Sequence, residues 1–178
     1  MGKENLVRVI KLVPYNPKWE EKYLKEKSLL LNLLNNELVQ IYHIGSTAIS
    51  GIYSKPIIDI LIEVKNISNI DKYNDYMKFL GYIPKGEFGI KDRRFFIKGL
   101  YNRTHHIHIF ETGNPEILRH LNFRNYMIYH PDEAKRYETL KKHLAIKFKY
   151  DIDSYCDNKA SYINEVDEKA RLWSTATI

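Results

Sequence analysis

The chain of 178 residues has a single cysteine, Cys156, and this scarcity excludes several classes of protein. One thiol cannot form an internal disulfide, nor can it build a zinc site of the multi-cysteine kinds. No stretch approaches the run of about 18 apolar residues that a membrane span needs, and the first residues lack the apolar segment of a secretory signal. These absences predict a cytoplasmic protein with no membrane partner.

Repeats, low-complexity tracts and linkers rich in glycine, serine or proline are also absent, with 8 glycines and 6 prolines in the whole chain. Apolar residues make up 44% of the sequence and charged residues 28%, which allows a buried core. We therefore expect a single domain over residues 1–178, with a core at about 7–112 and C-terminal helices at about 115–172.

The net charge of +6 suits an anionic partner. Two stretches, 85–103 and 113–150, carry the excess of lysine and arginine, whereas the remainder is slightly acidic. A compositional bias toward Lys, Asn, Ile and Tyr would also produce this charge. The aromatic pattern of RNA-recognition motifs is missing, which disfavours nucleic acid and leaves a nucleotide or another phosphorylated small molecule.

Hydrophobic periodicity divides the chain into strands and helices. Asn-Pro pairs at 16–17 and 114–115 are typical helix starts, because asparagine caps a helix and proline fits its first position. The expected strands are 7–12, 38–44, 57–64, 93–98 and 105–110, and the expected helices are 17–35, 70–80, 115–129, 132–149 and 155–172. This order predicts an α/β (α+β) domain, a small mixed sheet with helices on one face and a C-terminal helical extension.

Two of these strands carry polar side chains among apolar ones. Because side chains alternate between the faces of a strand, Asp59 lies on the face opposite Ile58 and Ile60, and His106 and His108 share one face of their strand. If the apolar faces of both strands turn toward one helix layer, the aspartate and both histidines project together from an open face. Each also has an ordinary explanation, since an aspartate can pair with arginine and histidines occur in many sheets.

Several motifs together resemble the GrpB family, a branch of the nucleotidyltransferase-fold superfamily. They are HIGST at 43–47, KPIIDI at 55–60, RRFF at 93–96, HHIH at 105–108 and FRNY at 123–126, followed by Tyr137, Lys141, Tyr155 and Lys159. The resemblance extends over about residues 7–172. It implies the superfamily's fold, in which a Gly-Ser turn after one strand holds phosphates and the next strand carries carboxylates that bind metal ions.

The resemblance implies roles for particular residues. Phosphate groups would contact Gly45, Ser46 and Thr47, and Lys55 and Arg94 would neutralise their charge. The candidate catalytic and metal-binding residues are Asp59, His106 and His108, with Mg²⁺ or Mn²⁺ as the metal, or Zn²⁺ if the imidazoles are ligands. Arg124 and Lys141 are further residues that the resemblance brings toward the pocket.

The sequence departs from the superfamily pattern at its second carboxylate. Position 61, two residues after Asp59 on the same face, is a leucine. Glu63 shares that face but lies about 13 Å along the strand, too far to share a metal pair whose ions are about 3.5–4 Å apart.

Three functions are therefore open. The chain is a metal-dependent nucleotidyltransferase with an incomplete carboxylate set, a non-catalytic module that binds a nucleotide or phosphorylated metabolite, or a protein with a transition-metal site of one aspartate and two histidines.

Overall fold

Residues 9–176 are described by the computed structural model, and five strands among them form one sheet in the order β1-β2-β5-β4-β3. The central neighbours, β2 and β5, are parallel, and the other neighbours are antiparallel. The strands are β1 (Leu38–Ile44), β2 (Ile58–Val64), β3 (Tyr82–Pro84), β4 (Arg94–Lys98) and β5 (His105–Glu111). The α-helices are α1 (Lys18–Leu34), α2 (Asn74–Phe79), α3 (Pro115–Tyr129), α4 (Pro131–Lys147) and α5 (Ile152–Ala176). The expected mixed α/β architecture is confirmed.

The register of the central strands decides where the polar side chains meet. β2 and β5 pair with Asp59 opposite His106 and Leu61 opposite His108. β1 ends where β2 begins, with Ile44 opposite Asp59. Residues in register on neighbouring strands project from the same face. The aspartate and both histidines therefore share one face, as the alternation predicts.

One face of the sheet is covered by α1, α2 and the 3₁₀ turn Ile67–Tyr73 that precedes α2. The alternate residues of β2 and β5 supply the sheet side of this core, and Trp19, Leu30 and Met77 belong to its helix side. Each fully buried apolar side chain of this size stabilises the fold by roughly 1.5–3 kcal/mol. This core fixes the orientation of β2, and with it the direction of Asp59.

The C-terminal helices fold across the opposite face. Leu61 and Phe110 pack with Ile117 of α3 in a second apolar cluster, and α4 and α5 form a third cluster that includes Tyr137 and Val166. The face that the sequence predicts to be open is therefore closed over Leu61. This face stays accessible at one end, where the Asp59 side chain is 26% exposed.

Some element bounds differ from the predictions. In the predicted strand 7–12, residues 7 and 8 lie outside the described residues and 9–12 form no strand, while Val13 makes one isolated bridge to Ser54. The helix predicted at 70–80 is a 3₁₀ turn followed by the short α2, and β3 was not predicted because three residues carry no periodicity. Helix α5 is longer than the predicted 155–172 at both ends. Within residues 9–176, no helix combines the length and apolar character that crossing a membrane requires.

A buried ion pair ties α1 to the far strands of the sheet. The Glu26 carboxylate is 5% exposed and accepts hydrogen bonds at 2.8 Å from both the Lys98 ammonium and the Tyr82 hydroxyl. The Lys98 side chain is itself only 26% exposed. A buried carboxylate is tolerated only with such partners.

We predict that Lys98→Met lowers the free energy of unfolding by about 2–3 kcal/mol, because it leaves the buried Glu26 charge with only the Tyr82 hydroxyl and the His105 ring, 3.9 Å away, beside it. Urea unfolding followed by circular dichroism measures the change. Lys78→Met is the matched control, since Lys78 pairs with Asp75 at the surface. Equal effects of the two substitutions would contradict a structural role for the buried pair.

Candidate functional site

A cavity of about 220 Å³ lies where β1 ends and β2 and β5 begin. Strand ends and turns form one wall, and helices α3, α4 and α5 form the other. The first wall consists of Gly45, Ser46, Thr47, Lys55, Ile57, Asp59 and His106, and the second of Phe123, Tyr137, Lys141, Tyr155 and Lys159. The structure therefore brings together most of the predicted site residues.

Gly45 is required at the mouth of this cavity for two physical reasons. Its φ of +70° is a conformation that side chains with a Cβ adopt at a cost. A Cβ atom added there would also lie 2.5 Å from Oδ2 of Asp59. The absence of a side chain at position 45 thus lets the turn pass directly over the carboxylate.

The turn after Gly45 is held in place by the buried ring of His43, which contacts Thr47. Thr47 is 3% exposed, with its hydroxyl 3.2 Å from the Ile57 carbonyl and 3.0 Å from Nε2 of His43. The other ring nitrogen of His43 is 3.2 Å from the Glu20 carboxylate. Thr47 therefore shapes the turn, and Ser46, whose hydroxyl bonds to no residue within 9–176, is the hydroxyl left for a ligand.

Asp59 and His106 form a direct pair in the cavity wall, with Oδ1 of Asp59 3.0 Å from Nδ1 of His106. Burial acts to raise the pKa of Asp59, but the hydrogen bond from His106 and the charge of Lys55 hold that pKa below its usual range. The carboxylate is thus ionised, so Nδ1 carries the proton and donates it. In neutral His106 the second nitrogen, Nε2, is then an acceptor, and it is buried with no hydrogen-bond partner within residues 9–176.

His108 does not reach this cavity. Its ring packs against Phe95 at 5.0 Å and against His120 of α3 at 5.3 Å, measured between ring centroids, and its Nδ1 lies 3.3 Å from the Arg93 guanidinium. Burial lowers the pKa of His108 well below its usual value, and the neighbouring His120 adds to this effect. His108 is therefore a neutral imidazole whose role is to pack between β5 and α3.

Arg94 also lies elsewhere. It belongs to β4 on the face that α1 and α2 cover, and its guanidinium makes a two-point ion pair with Asp71 at 2.7 and 2.8 Å. Arg124 holds the end of β1 from α3, since it donates to the His43 carbonyl at 2.9 Å. Neither arginine lines the cavity.

Three lysines surround the cavity, each placed against a tyrosine ring. Lys141 of α4 lies over the Tyr137 ring at 4.6 Å, and Lys159 of α5 and Lys55 lie 4.7 and 5.1 Å from the centre of the Tyr155 ring. Ring faces stabilise ammonium groups, so this arrangement brings three lysine amino groups close together. The repeated spacing of a tyrosine and a lysine four residues later, at 137/141 and 155/159, is the sequence signal for this cluster.

Lys141 is the most deeply placed of the three, with 3% of its surface exposed. Burial, together with the charges of Lys159 and Lys55, lowers the pKa of Lys141 from 10.5 to about 7, while Glu138 opposes the shift. Its Nζ donates to the Tyr53 carbonyl at 2.7 Å, and the Tyr53 amide donates to Glu138 at 3.2 Å. The backbone N–H and C=O of Tyr53 are thus both bonded to side chains of α4, and these bonds position the loop that carries Lys55.

The donor set of the cavity does not fit a resident metal ion. Asp59 is the one carboxylate in its lining, His106 already binds that carboxylate, and the three lysines repel a cation. Across residues 9–176, no group of three or more His, Cys, Asp or Glu side chains is arranged to hold a metal. Basic side chains outnumber acidic ones in the lining of this cavity.

Comparison with known proteins gives a consistent family. The family model described as GrpB protein matches residues 9–169. The chain is 45% identical over 166 residues to the UPF0157 protein YqkA of Bacillus subtilis, which covers 93% of this chain but 48% of YqkA, so the chain spans about half the length of that relative. It is 36% identical over 160 residues to the glutamate-rich protein GrpB of Alkalihalophilus pseudofirmus, covering 87% of this chain and 92% of that protein. The crystal structure of the conserved protein GrpB from Enterococcus faecalis is similar with a TM-score of 0.88 and 38% identity, over 92% of this chain and 99% of that chain.

We predict that Gly45→Ala destabilises the fold more than Gly51→Ala. Both glycines have positive φ, of +70° and +81°, so both substitutions strain the backbone, and the ψ of −173° at Gly45 lies in a region almost restricted to glycine, with a cost of about 1–3 kcal/mol. Only the alanine at 45 meets the Asp59 carboxylate, because nothing lies within 4 Å of a Cβ at 51. Thermal unfolding and the NMR signals of the His106 ring measure the two effects, and an unchanged His106 signal in Gly45→Ala would contradict the contact.

A second prediction concerns the pH dependence of stability. Between pH 7 and 10.5 the unfolded chain retains a proton on Lys141 that the folded chain has lost, so this group makes the free energy of unfolding rise with pH across that window. Lys141→Met should flatten the rise, whereas Lys142→Met, at a more exposed neighbour, should not. Urea unfolding at pH 7, 8 and 9 measures both slopes, and identical slopes for wild type and Lys141→Met would show that Lys141 is charged throughout.

Proposed function

The chain belongs to the GrpB protein family, and we propose that it binds a nucleotide or a closely similar phosphorylated small molecule. The phosphoryl groups occupy the cavity beside Gly45 and Ser46, where Lys55, Lys141 and Lys159 neutralise their charge. The binding is the function, and catalysis is not needed to explain the residues present.

The lysine cluster carries this proposal. Three ammonium groups face one carboxylate, that of Asp59, across a cavity of about 220 Å³. Gathering like charges in a partly buried space costs free energy, and the charges of Lys159 and Lys55 add to burial, the main cause, in lowering the pKa of Lys141. A multiply charged anion placed between the lysines removes this repulsion and restores the proton on Lys141. This gain supports an anionic ligand as the occupant of the cavity.

Two further groups in the wall support a ligand at this position. The Tyr155 hydroxyl and Nε2 of His106 are buried and have no hydrogen-bond partner within residues 9–176. Buried polar atoms of this kind are usually paired, because each unpaired one costs about 1–3 kcal/mol. Oxygen atoms and hydroxyl groups of a phosphorylated ligand would supply the missing partners.

Nucleotidyl transfer is the second candidate function, and one observation favours it. Asp59 fixes the His106 ring so that Nε2 is a proton acceptor, and His106 lines the same cavity as the lysines. There it would take the proton of an attacking hydroxyl while pyrophosphate leaves the nucleotide. Leu61 argues against this chemistry, since the second carboxylate of a two-metal site is missing.

Isothermal titration calorimetry with ATP and with inorganic triphosphate tests the proposal. We predict that wild type binds both ligands and that Lys159→Gln weakens both by about tenfold or more, which is roughly 1.4 kcal/mol for one lost ammonium contact. Lys25→Gln, at an exposed position of α1, removes the same charge outside the cavity and should leave affinity unchanged.

Absence of binding for both ligands at millimolar concentration would overturn the proposal. Equal losses in Lys159→Gln and Lys25→Gln would also overturn it, because the attraction would then belong to the whole protein. Release of pyrophosphate from ATP in the same mixtures, abolished by His106→Gln, would favour the transferase.

A further inference from the structure

A second and larger cavity adjoins the first. Its volume is about 660 Å³, and it shares Lys55 and Ile57 with the lysine-lined cavity. Its remaining wall comes from the residues before α1, from Lys22 on α1, from the β4–β5 loop around Arg103 and from the first residue of α5, Ile152. The two spaces thus lie on either side of one lysine.

The second cavity is also an anion site by composition. Four of its lining side chains are basic, Lys11, Lys22, Lys55 and Arg103, and none of its described lining residues is acidic. Of the 22 acidic residues in the chain, none in the part that the structure describes lines this cavity. Because the charged side chains of this lining are all positive, we expect a ligand in this cavity to carry a negatively charged group there.

Arg103 is the residue that best supports a second anionic group. Its side chain is half-buried, its Nε is fully buried, and it makes no hydrogen bond or ion pair with any residue from 9 to 176. A buried side-chain nitrogen usually has a hydrogen-bond partner, and the planar fork of arginine matches a phosphate or carboxylate. The guanidinium therefore has donors available for a group that is not part of the described chain.

The sizes of the two cavities point to one ligand that spans both. The lysine-lined cavity, at about 220 Å³, is below the range of roughly 300–1,000 Å³ in which proteins bury ligands of nucleotide size. It accommodates the phosphoryl end of such a molecule, and the larger cavity beyond Lys55 accommodates the rest. Val9, Pro56 and Tyr101, which are exposed, offer apolar surface there for the body of the ligand.

We propose that the second cavity is a subsite for the opposite end of the same ligand, and that this end carries a second anionic group that binds Arg103. The ligand class is a nucleotide-sized molecule with phosphate groups on both sides of a neutral body, such as a nucleoside 3′,5′-bisphosphate. This inference rests on the proposed function, since the first phosphoryl group must occupy the lysine-lined cavity.

The experiment compares adenosine 3′,5′-bisphosphate with adenosine 5′-monophosphate by calorimetry, with inorganic triphosphate as the probe of the first cavity. Wild type should bind the bisphosphate at least tenfold more tightly than the monophosphate. In Arg103→Gln this ratio should fall to within about twofold of unity, while the affinity for triphosphate stays within twofold of wild type. Lys159→Gln should instead weaken both adenosine ligands by the same factor.

Arg136→Gln is the matched control, because Arg136 is exposed on α4 and lines neither cavity. Lys11→Gln repeats the test at a second position of the subsite in case Arg103→Gln does not fold. Equal affinities of wild type for the two adenosine ligands would overturn the subsite while leaving triphosphate binding intact. A ratio unchanged in both Arg103→Gln and Lys11→Gln would do the same, and absence of triphosphate binding would remove the first cavity's role and this inference with it.

Discussion

The parallel pairing of β2 with β5 is the constraint on which the site depends. It sets Asp59 beside His106, and the antiparallel pairing of β1 with β2 brings the end of β1 to the same point. The backbone at Gly45 then passes so close to the Asp59 carboxylate that a Cβ atom at this position would clash with it. A shift of one residue in this register would turn Asp59 into the apolar core under α1. The isoleucines of β2 that pack in that core therefore fix the chemistry on the other face.

The electrostatics of the cavity follow from helices that the sheet does not specify. Lys141 and Lys159 come from α4 and α5, and each extends along the ring of a tyrosine one turn earlier on its own helix. The Tyr53 peptide, bonded to Lys141 at one end and to Glu138 at the other, adds Lys55 to the same group. Three separate segments thus deliver like charges to one space, which is unfavourable in isolation and favourable around a phosphate.

Period-two alternation predicted that Asp59 and His106 share a face only with the further assumption that both apolar faces turn toward one helix layer. The family motifs predicted the turn, Lys55 and Lys141. The same reasoning could not separate His106 from His108, because both lie on one face and only the packing of α3 encloses the second. It could not place Arg94 either, since the facing of β4 depends on its pairing with β5. Arg103 belongs to the basic stretch 85–103, but the sequence does not distinguish it from the other basic residues there, and its lack of a partner within residues 9–176 is evident only in three dimensions.

The packing at Leu61 is a physical argument against the metal-dependent alternative to the proposed binding function. Position 61 has the spacing of a second metal-binding carboxylate, yet Leu61 is 0% exposed and packs with Ile44, Phe110 and Ile117. A carboxylate there would be stripped of water by α3 and would have no cation beside it, at a cost of several kcal/mol. Leu61 is therefore part of the apolar contact between α3 and the sheet. Replacing it by a carboxylate would not by itself restore a metal ligand. This packing confines polar chemistry to the end of the face at Asp59, where the surrounding charges are positive and attract an anion.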